Sequence, residues 1–325
     1  MAATAVWAFG NSTMPELRAD KRQWQVVQGA NLLDALNAAG VTVPYSCRAG
    51  SCHACLVRCL SGEPEDARPE ALARDKRAEG WRLACQCRVV SDLHVEAFDP
   101  RHDGLPANVL ACDWLSPTVL RLRLLPERPL RYRTGQHLVL WASREVARPY
   151  SLASLPSEER FLEFHIDCRD PGQFAERARQ LSVGDELRLG ELRGGALRYD
   201  ADWQDRPLWL LAGGTGLAPL WGLLRDLLRQ GHQGPIRLLH VVRDPSERYL
   251  EADLRGLGEL HGNLDVQWLT ADSLADHLPN LRPTRQTIAL LCGSPTHVEL
   301  LAKRLFLAGL PRGQVLADAF VERVI

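Results

Sequence analysis

The segment Cys47-Arg-Ala-Gly-Ser-Cys52-His-Ala-Cys55 gives three cysteines the spacing C-x4-C-x2-C, and a fourth follows in Leu83-Ala-Cys-Gln-Cys87. Four thiolates with this spacing are typical ligands of a [2Fe–2S] cluster, because a tight loop wraps three of them around one cluster. Gly50 lets the backbone approach the inorganic sulfides closely. Structural zinc sites usually space their cysteines as two close pairs, which this segment does not match. The spacing therefore predicts an iron–sulfur site, with zinc or a chance thiol cluster as the alternatives.

Residues 32–92 around this segment resemble a plant-type ferredoxin of β-grasp fold. In that family the fourth ligand shortly precedes a Ser-Asp pair, and counting back from Ser91 selects Cys85 rather than Cys87. His53 stands where the family commonly has glycine, and we favour a structural role for it over tuning of the cluster potential. The resemblance implies four cluster ligands: Cys47, Cys52, Cys55 and Cys85.

The composition limits the classes of protein and of partner. The chain has 325 residues with 39 basic and 40 acidic side chains, a net charge of −1, so no basic field predicts nucleic-acid binding. Nine cysteines are too few for a disulfide framework in a chain of this length. Four of them have no predicted function: Cys59, Cys87, Cys112 and Cys168.

No targeting or membrane segment is evident in the sequence. Residues 1–10 lack the basic region of a signal peptide. The longest apolar runs, residues 208–212 and 288–292, are far shorter than the roughly 20 residues that span a bilayer. We therefore expect a cytoplasmic protein with no membrane partner, in which clustered thiols stay reduced and bind metal or carry out redox chemistry.

The hydrophobic pattern changes twice along the chain and predicts three domains. Residues 120–124 and 161–166 alternate at period two, which indicates half-buried strands of a small antiparallel barrel. Apolar strand-like runs alternate with helical patterns after residue 206, which predicts a parallel, doubly wound sheet. Residues 99–104 are predicted to form a linker between the first and second domains. The predicted domains are residues 1–98, residues 105–205 and residues 206–325.

The sequence Arg148-Pro-Tyr-Ser151 follows a predicted barrel strand. Arginine pairs with phosphate, tyrosine stacks on an isoalloxazine and serine bonds to flavin N5, although an ordinary strand end would look the same. With the glycine-rich turn that follows, it resembles the ferredoxin–NADP reductase superfamily from residue 105 onward, which implies an FAD-binding β-barrel. Ala175 stands where the family often has serine. The implied flavin contacts are Arg148, Pro149, Tyr150, Ser151, His165, Gly172, Gln173 and Phe174.

Two further segments suit a nicotinamide nucleotide. Gly213-Gly-Thr-Gly216 joins a buried strand to a helix, where glycines let the backbone approach a pyrophosphate. It is not the usual G-x-G-x-x-G, and a generic glycine-rich turn is the alternative. Cys292-Gly-Ser-Pro295 also ends a strand, and the resemblance implies that its cysteine lies near the nicotinamide C4. The implied nucleotide contacts are Gly213, Gly214, Thr215, Gly216, Asp244, Gly293 and Pro295.

Asp244 and Phe320 complete the predicted Rossmann-like nicotinamide domain. An acidic residue after this strand accepts a hydrogen bond from the ribose 2′-hydroxyl and repels a 2′-phosphate, so Asp244 favours NADH over NADPH. Arg243 and Arg248 are available to a phosphate, and a solvated loop is the alternative. Phe320 fits the aromatic that superfamily members stack on the flavin face, with a core residue as the alternative.

The order of the three domains resembles the reductase components of bacterial ring-hydroxylating dioxygenases and multicomponent monooxygenases. This resemblance implies a monomeric oxidoreductase in which electrons pass from NADH through FAD and a [2Fe–2S] cluster to a terminal oxygenase or a small ferredoxin. Ser151, Cys292 and Phe320 are its implied catalytic residues. A related reductase of deoxysugar biosynthesis and a redox-sensing protein without turnover are the alternatives.

Overall fold

The computed structural model describes residues 14–321, so the predicted absence of a signal at residues 1–10 lies outside the described residues. The described chain forms two compact units. The first comprises residues 14–43 and 48–98, and the second comprises residues 44–47 and 99–321. Among the described residues, no helix combines the length and the apolar character that a membrane crossing requires.

The first unit has the β-grasp fold that the sequence predicts. A five-stranded sheet has the order β2-β1-β8-β4-β6, with β1 parallel to β8 and the other neighbours antiparallel, and a small sheet has the order β3-β7-β5. The strands are β1 (Glu16–Ala19), β2 (Arg22–Gln25), β3 (Ala30–Asn31), β4 (Leu56–Ser61), β5 (Glu65–Asp66), β6 (Trp81–Leu83), β7 (Cys87–Val89) and β8 (Leu93–Ala97). The helices are α1 (Leu32–Ala38) and α2 (Arg74–Ala78).

The leucine spacing in residues 31–40 and the glycine at its end predict a helix, and helix α1 forms there. Local signals set both of its ends. The side chain of Asn31 accepts a hydrogen bond from the Asp34 amide at the start, and Gly40 adopts a φ of 77° just beyond the end. The leucines of α1 are spaced so that they share one face of the helix, and that face is buried. They are Leu32, Leu33 and Leu36.

The second unit begins with the antiparallel barrel. Its strands have the order β12-β11-β14-β9-β10-β13. The two edge strands are linked by a hydrogen bond from the amide of Ala153, just after β12, to the carbonyl oxygen of Glu163 in β13. Residues 99–104, the predicted linker, directly follow the boundary between the two units, and within them Pro100–Asp103 form a short helix that Asp99 caps. The elements are α3 (Pro100–Asp103), β9 (Leu105–Trp114), β10 (Val119–Pro126), β11 (His137–Trp141), β12 (Ala147–Ser151), β13 (Leu162–Asp167), α4 (Gln173–Arg179) and β14 (Glu186–Arg193).

A parallel five-stranded sheet of order β17-β16-β15-β18-β19 completes the second unit, as the sequence predicts. One apolar core packs α5 on one face and another packs α8 on the opposite face, so this sheet is buried on both sides. The elements are β15 (Leu208–Gly213), α5 (Leu217–Arg229), β16 (Ile236–Val242), α6 (Glu251–Leu260), β17 (Leu264–Thr270), α7 (Ala271–His277), β18 (Ile288–Gly293), α8 (Pro295–Leu307) and β19 (Val315–Ala319).

Candidate functional site

Three of the predicted cluster ligands, Cys52, Cys55 and Cys85, are buried in the first unit. A hydrogen bond with Cys85, together with burial, raises the pKa of the Cys55 thiol, so these two sulfurs form a close pair. Within residues 14–321, no three His, Cys, Asp or Glu side chains are grouped to hold a single metal ion. Each iron of a [2Fe–2S] cluster takes two protein thiolates, and the Cys55–Cys85 pair fits that donor set. Cys47 is half-buried, and its role as a ligand stays a prediction.

The loop that carries these cysteines needs backbone conformations that favour glycine. Gly50 has a φ of 77°, and a Cβ there would lie 3.2 Å from Cγ of Gln86. His53 is buried and has a φ of 60°, in the left-handed region that side chains adopt rarely. This conformation explains why glycine suits position 53, and the structural role of His53 stays a prediction.

Gln86 is a residue of this loop that no sequence motif identified. Its Nε2 donates to the carbonyl oxygen of Arg48 at 2.9 Å and lies 3.3 Å from Sγ of Cys85. The Asn31 side chain donates to the carbonyl oxygen of Cys85 at 2.9 Å. Hydrogen bonds to the sulfur and to the backbone of one cysteine hold that side chain in place. The only signal in the sequence was the position of Gln86 directly after Cys85.

The sequence Arg148-Pro-Tyr-Ser151 was predicted to follow a barrel strand, and it is itself part of the strand β12, which comes after β11 and pairs with it. Arg148 and Tyr150 are two residues apart in the strand and therefore share a face. Tyr150 lies 5.0 Å from Phe174, ring centre to ring centre, and burial raises the pKa of its hydroxyl. Ser151 is buried. A cation, an aromatic ring and a hydroxyl on one strand fit the phosphate, ring and N5 of a flavin.

The second predicted flavin segment lies at the start of α4. Gly172 is in extended conformation, a Cβ there would meet open space, and α4 begins at Gln173 with no side chain capping it. Ala175, at the position where the superfamily often has serine, is buried in the core of the barrel and offers no hydroxyl. The contacts of Gly172, Gln173 and Phe174 with a flavin stay predictions.

His165, the remaining predicted flavin contact, is fully buried in β13. Its Nε2 lies 3.1 Å from Oε1 of Glu163, whose Oε2 accepts a 2.6 Å hydrogen bond from Arg123. Burial alone would raise the pKa of Glu163, but the bonds from His165 and Arg123 prevail and lower it to about 2. Burial lowers the pKa of His165, so at neutral pH its imidazole is neutral and donates from Nε2.

The two predicted nucleotide segments meet at the carboxyl ends of the neighbouring strands β15 and β18. A Cβ on Gly293 would lie 3.0 Å from the carbonyl oxygen of Gly213, and a Cβ on Gly213 would lie 2.7 Å from the ring of His297. A Cβ on Gly216 would overlap the carbonyl group of Cys292. The glycines are therefore needed for the close approach of the two segments. This edge of a parallel sheet is where nucleotides bind in doubly wound folds.

Cys292 is fully buried, and burial followed by the charge of Asp318 raises the pKa of its thiol. Asp318 stands opposite Cys292 in the pairing of β18 with β19, and burial raises its own pKa. The amide of Phe320 donates to the carbonyl oxygen of Gly293 at 2.8 Å, and the Phe320 ring packs half-buried against the core beside α5. The chain thus brings Phe320 next to the Cys292 segment at the end of β18.

Asp244 is exposed after β16, where the sequence predicts the ribose contact. Its Oδ1 accepts hydrogen bonds from the amide and the hydroxyl of Ser246, at 2.9 and 2.6 Å, and these bonds lower the pKa of the carboxyl. Oδ1 therefore caps the short turn that follows. The ribose contact of Asp244 stays a prediction.

The loop after β16 is anchored to the barrel by two contacts that no sequence motif indicated. Arg169 donates from Nη2 to Oε2 of Glu247 at 3.0 Å, and its Nε lies 2.9 Å from Oε1. Tyr249 is fully buried and presents its ring edge-on to His165, with 5.3 Å between ring centres. No local pattern marked these partners, because they are about 80 residues apart in sequence.

Comparisons with known proteins agree with this arrangement. Residues 17–90 match the 2Fe-2S iron-sulfur cluster binding domain, residues 115–196 match the oxidoreductase FAD-binding domain, and residues 210–303 match the oxidoreductase NAD-binding domain. The chain is 33% identical over 316 residues to the ferredoxin–NAD(P)(+) reductase component of a Ralstonia naphthalene 1,2-dioxygenase/salicylate 5-hydroxylase system, covering 90% of this chain and 94% of that protein. The chain belongs to the ferredoxin–NAD(P)⁺ reductase components of oxygenase systems.

Two further comparisons extend over nearly the whole chain. A terephthalate 1,2-dioxygenase reductase component of Comamonas is 31% identical over 316 residues, with 90% of this chain and 92% of that protein covered. A solved cytochrome P450 reductase of Amycolatopsis has a TM-score of 0.65 and 26% identity, and the match covers 94% of this chain and 98% of that one.

The family fixes the general chemistry of the chain. It is an oxidoreductase that carries FAD and a [2Fe–2S] cluster and takes electrons from NAD(P)H. The alternative of a redox sensor without turnover is therefore set aside, because the chain has both an FAD-binding and an NAD-binding domain.

Proposed function

We propose that this reductase takes electrons from NADH and delivers them to a terminal oxygenase or a small ferredoxin. The observation that carries the proposal is the meeting of Gly213–Gly216 with Cys292 and Gly293 at one sheet edge, in a chain that also has a buried cysteine loop. The reductases of the Ralstonia and Comamonas systems are named as components of dioxygenases. We infer the same class of acceptor for this chain.

We assign the chain's own residues to three tasks. Four cysteines bind the cluster; Arg148, Tyr150 and Ser151 position the flavin; and the glycine segments bind the nucleotide beside Cys292. FAD held there would supply an acceptor for the electron pair of the nicotinamide and a donor of single electrons to the cluster. Cys292 is held protonated by burial, so it contributes a small apolar contact next to the nicotinamide rather than a charge. Phe320 covers the flavin face from the end of β19.

The preference for NADH rests on Asp244. Its carboxyl is ionised at neutral pH, as an aspartate ordinarily is, and hydrogen bonds from Ser246 lower its pKa further. Only Oδ1 is engaged by Ser246, so Oδ2 remains available to the ribose 2′-hydroxyl. A 2′-phosphate would bring negative charge against this carboxylate, which disfavours NADPH.

An anaerobic titration of the purified holoprotein with NADH and, separately, NADPH tests this function. We expect NADH to bleach the visible absorption of flavin and cluster at lower concentration than NADPH, and the EPR signal of a reduced [2Fe–2S] cluster to appear. Release of the flavin and measurement of its mass checks FAD. Absorption that is unchanged by either nucleotide would contradict the proposal. Mass measurement of the native protein checks the predicted monomer.

A further inference from the structure

We propose that His240 is a positioning residue for NADH binding, because it fixes the peptide group of Gly214 in the nucleotide loop, residues 213–216. The proposal rests on the proposed role of this loop in holding the nucleotide. His240 itself was not among the residues that the sequence singled out. It lies in β16, two residues before the end of that strand, and is completely buried.

One hydrogen bond joins His240 to the loop. Its Nε2 lies 3.1 Å from the carbonyl oxygen of Gly214, and a carbonyl oxygen only accepts, so Nε2 is the donor. Burial lowers the pKa of His240 to about 4, so the ring is neutral at pH 7 and its single proton is on Nε2. Nδ1 has no hydrogen-bond partner in the described part of the chain. Within the described residues, the bond to Gly214 is therefore the one hydrogen bond that the His240 side chain makes.

The direction of this bond determines where the loop presents its next amide. In a trans peptide the carbonyl group and the following N–H point in opposite directions. The Gly214 carbonyl points toward His240, so the Thr215 N–H of the same peptide points away from it. The Leu217 amide also donates to the Gly214 oxygen and so supports the same orientation. An outward N–H at the start of α5 is the donor that a nucleotide phosphate requires.

Packing contacts alone do not hold the Gly214 backbone in this orientation. Gly214 has a φ of 52°, and a Cβ there would meet nothing within 4 Å. Gly213 and Gly216, by contrast, are fixed by close contact with His297 and with Cys292. A glycine in open space populates many conformations. The bond from His240, together with that from the Leu217 amide, thus holds a glycine that packing does not hold.

Neighbouring rings keep the His240 side chain in place. Tyr249 presents its ring to His240 with 5.3 Å between ring centres and an interplanar angle of 86°, and it meets His165 from the barrel at 5.3 Å and 90°. His165 is in turn bonded to Glu163. These contacts prevent the His240 ring from turning away from Gly214. A core histidine with only a packing role would need no donor at Nε2, which makes the two roles separable.

An isosteric pair of substitutions tests the proposal. His240→Gln keeps an N–H donor at the position of Nε2, whereas His240→Met has similar length and no donor. We expect His240→Met to raise the Kd for NAD⁺ and the KM for NADH about tenfold, because the Gly214 carbonyl loses a buried donor. We expect His240→Gln to stay within about threefold of the wild type. Calorimetric titration of the flavin- and cluster-loaded protein with NAD⁺ gives Kd independently of turnover.

His232→Leu serves as the control, because His232 is also buried and hydrogen-bonded, to Tyr199, away from the loop. The His232→Leu variant should have the same Kd for NAD⁺ and the same KM for NADH as the wild type. Equal Kd values for His240→Met and the wild type, or an equal loss in both His240 variants, would overturn the proposal. A wild-type protein that NADH cannot reduce would instead refute the proposed function.

A measurement on the wild type covers the case in which His240→Met does not fold. ¹⁵N-histidine NMR of the holoprotein, with His240 assigned from the spectrum of His240→Gln, reports which ring nitrogen carries the proton. We expect a neutral ring protonated at Nε2. A neutral ring with its proton on Nδ1 would overturn the proposal, because Nε2 could not then donate to the Gly214 carbonyl.

Discussion

Gly216 and Cys292 are in backbone contact: a Cβ on Gly216 would overlap the carbonyl carbon and oxygen of Cys292. The contact arises because β15 and β18 are parallel neighbours, and the chain leaves both strands at the same edge of the sheet. Rigid backbone lies on both sides, so neither segment can move aside for a side chain. The contact brings the two predicted nucleotide segments together at one edge of the sheet.

We therefore expect Gly216→Ala to lower the free energy of unfolding by about 1–3 kcal/mol and to weaken NADH binding, because the extra methyl group forces the two segments apart. Gly256→Ala in α6 is the matched control. A Cβ there meets open space, and alanine in a helix interior is favoured over glycine by about 0.5–1 kcal/mol, so this variant should be slightly more stable. Urea unfolding followed by tryptophan fluorescence measures both. If Gly216→Ala has the stability and the NADH affinity of the wild type, the two segments can move apart without cost and the prediction is wrong.

The sequence predicted the parts of the fold that depend on local signals. Helix α1 has an asparagine cap, a leucine face and a terminal glycine within a few residues of one another. The run Leu208–Gly213 is apolar throughout because both faces of its strand are covered. The linker predicted at residues 99–104 begins at the boundary between the two units, and it contains a short helix because Asp99 and Pro100 act as a helix start as well as a break.

Contacts between distant segments could not be predicted in the same way. Asp318 stands opposite Cys292 only because β19 pairs with β18 in a particular register. Tyr249 reaches His165 only because the loop after β16 lies against the barrel. Nothing in the residues near either side chain specifies the partner. For the same reason the sequence predicted a nucleotide role for residues 213–216 but gave no sign of the hydrogen bond from His240 to Gly214.

Cys85 and Cys87 allow a direct test of the fourth cluster ligand. Cys85 is hydrogen-bonded with Cys55, whereas Cys87 lies at the start of β7, opposite Asp66, and burial raises its pKa strongly. We expect Cys85→Ser to lose the cluster and Cys87→Ser to keep it, because Cys85 is paired with Cys55 whereas Cys87 is held in the pairing of β7 with β5. Iron content, visible absorption and EPR of the two purified variants check this. Loss of the cluster in Cys87→Ser alone would reverse the assignment.

Glu163 gives the protein a stability that depends on pH. Its pKa is lowered from 4.5 to about 2 in the folded chain, so the unfolded chain binds the proton first as the pH falls. The stabilisation of the fold by the Glu163 carboxylate is therefore complete above about pH 4.5 and is lost as the pH falls toward 2. We expect Glu163→Gln to lower the free energy of unfolding by about 3 kcal/mol at pH 7, and by progressively less below pH 4.5.

Urea unfolding of wild type and variant between pH 7 and pH 3 measures this difference. Glu158→Gln is the control, because Glu158 is exposed and its pair with Arg229 lies at the surface. Such a pair contributes about 0–1 kcal/mol, so its variant should follow the wild type at every pH. A gap between Glu163→Gln and the wild type that stays constant with pH would mean that the carboxylate charge does not stabilise the fold.

Asp244 offers a test of nucleotide preference that separates its charge from its capping bond. Asp244→Asn keeps an oxygen that accepts from the Ser246 amide but removes the negative charge that faces a 2′-phosphate. We expect the ratio of kcat/KM for NADH to that for NADPH to fall about tenfold, mainly through a lower KM for NADPH. Ser246→Ala removes one partner of the cap and keeps the charge, so it should retain the wild-type ratio. The ratio is measured with ferricyanide as the electron acceptor at fixed ionic strength, and an unchanged ratio in Asp244→Asn would assign Asp244 to the turn alone.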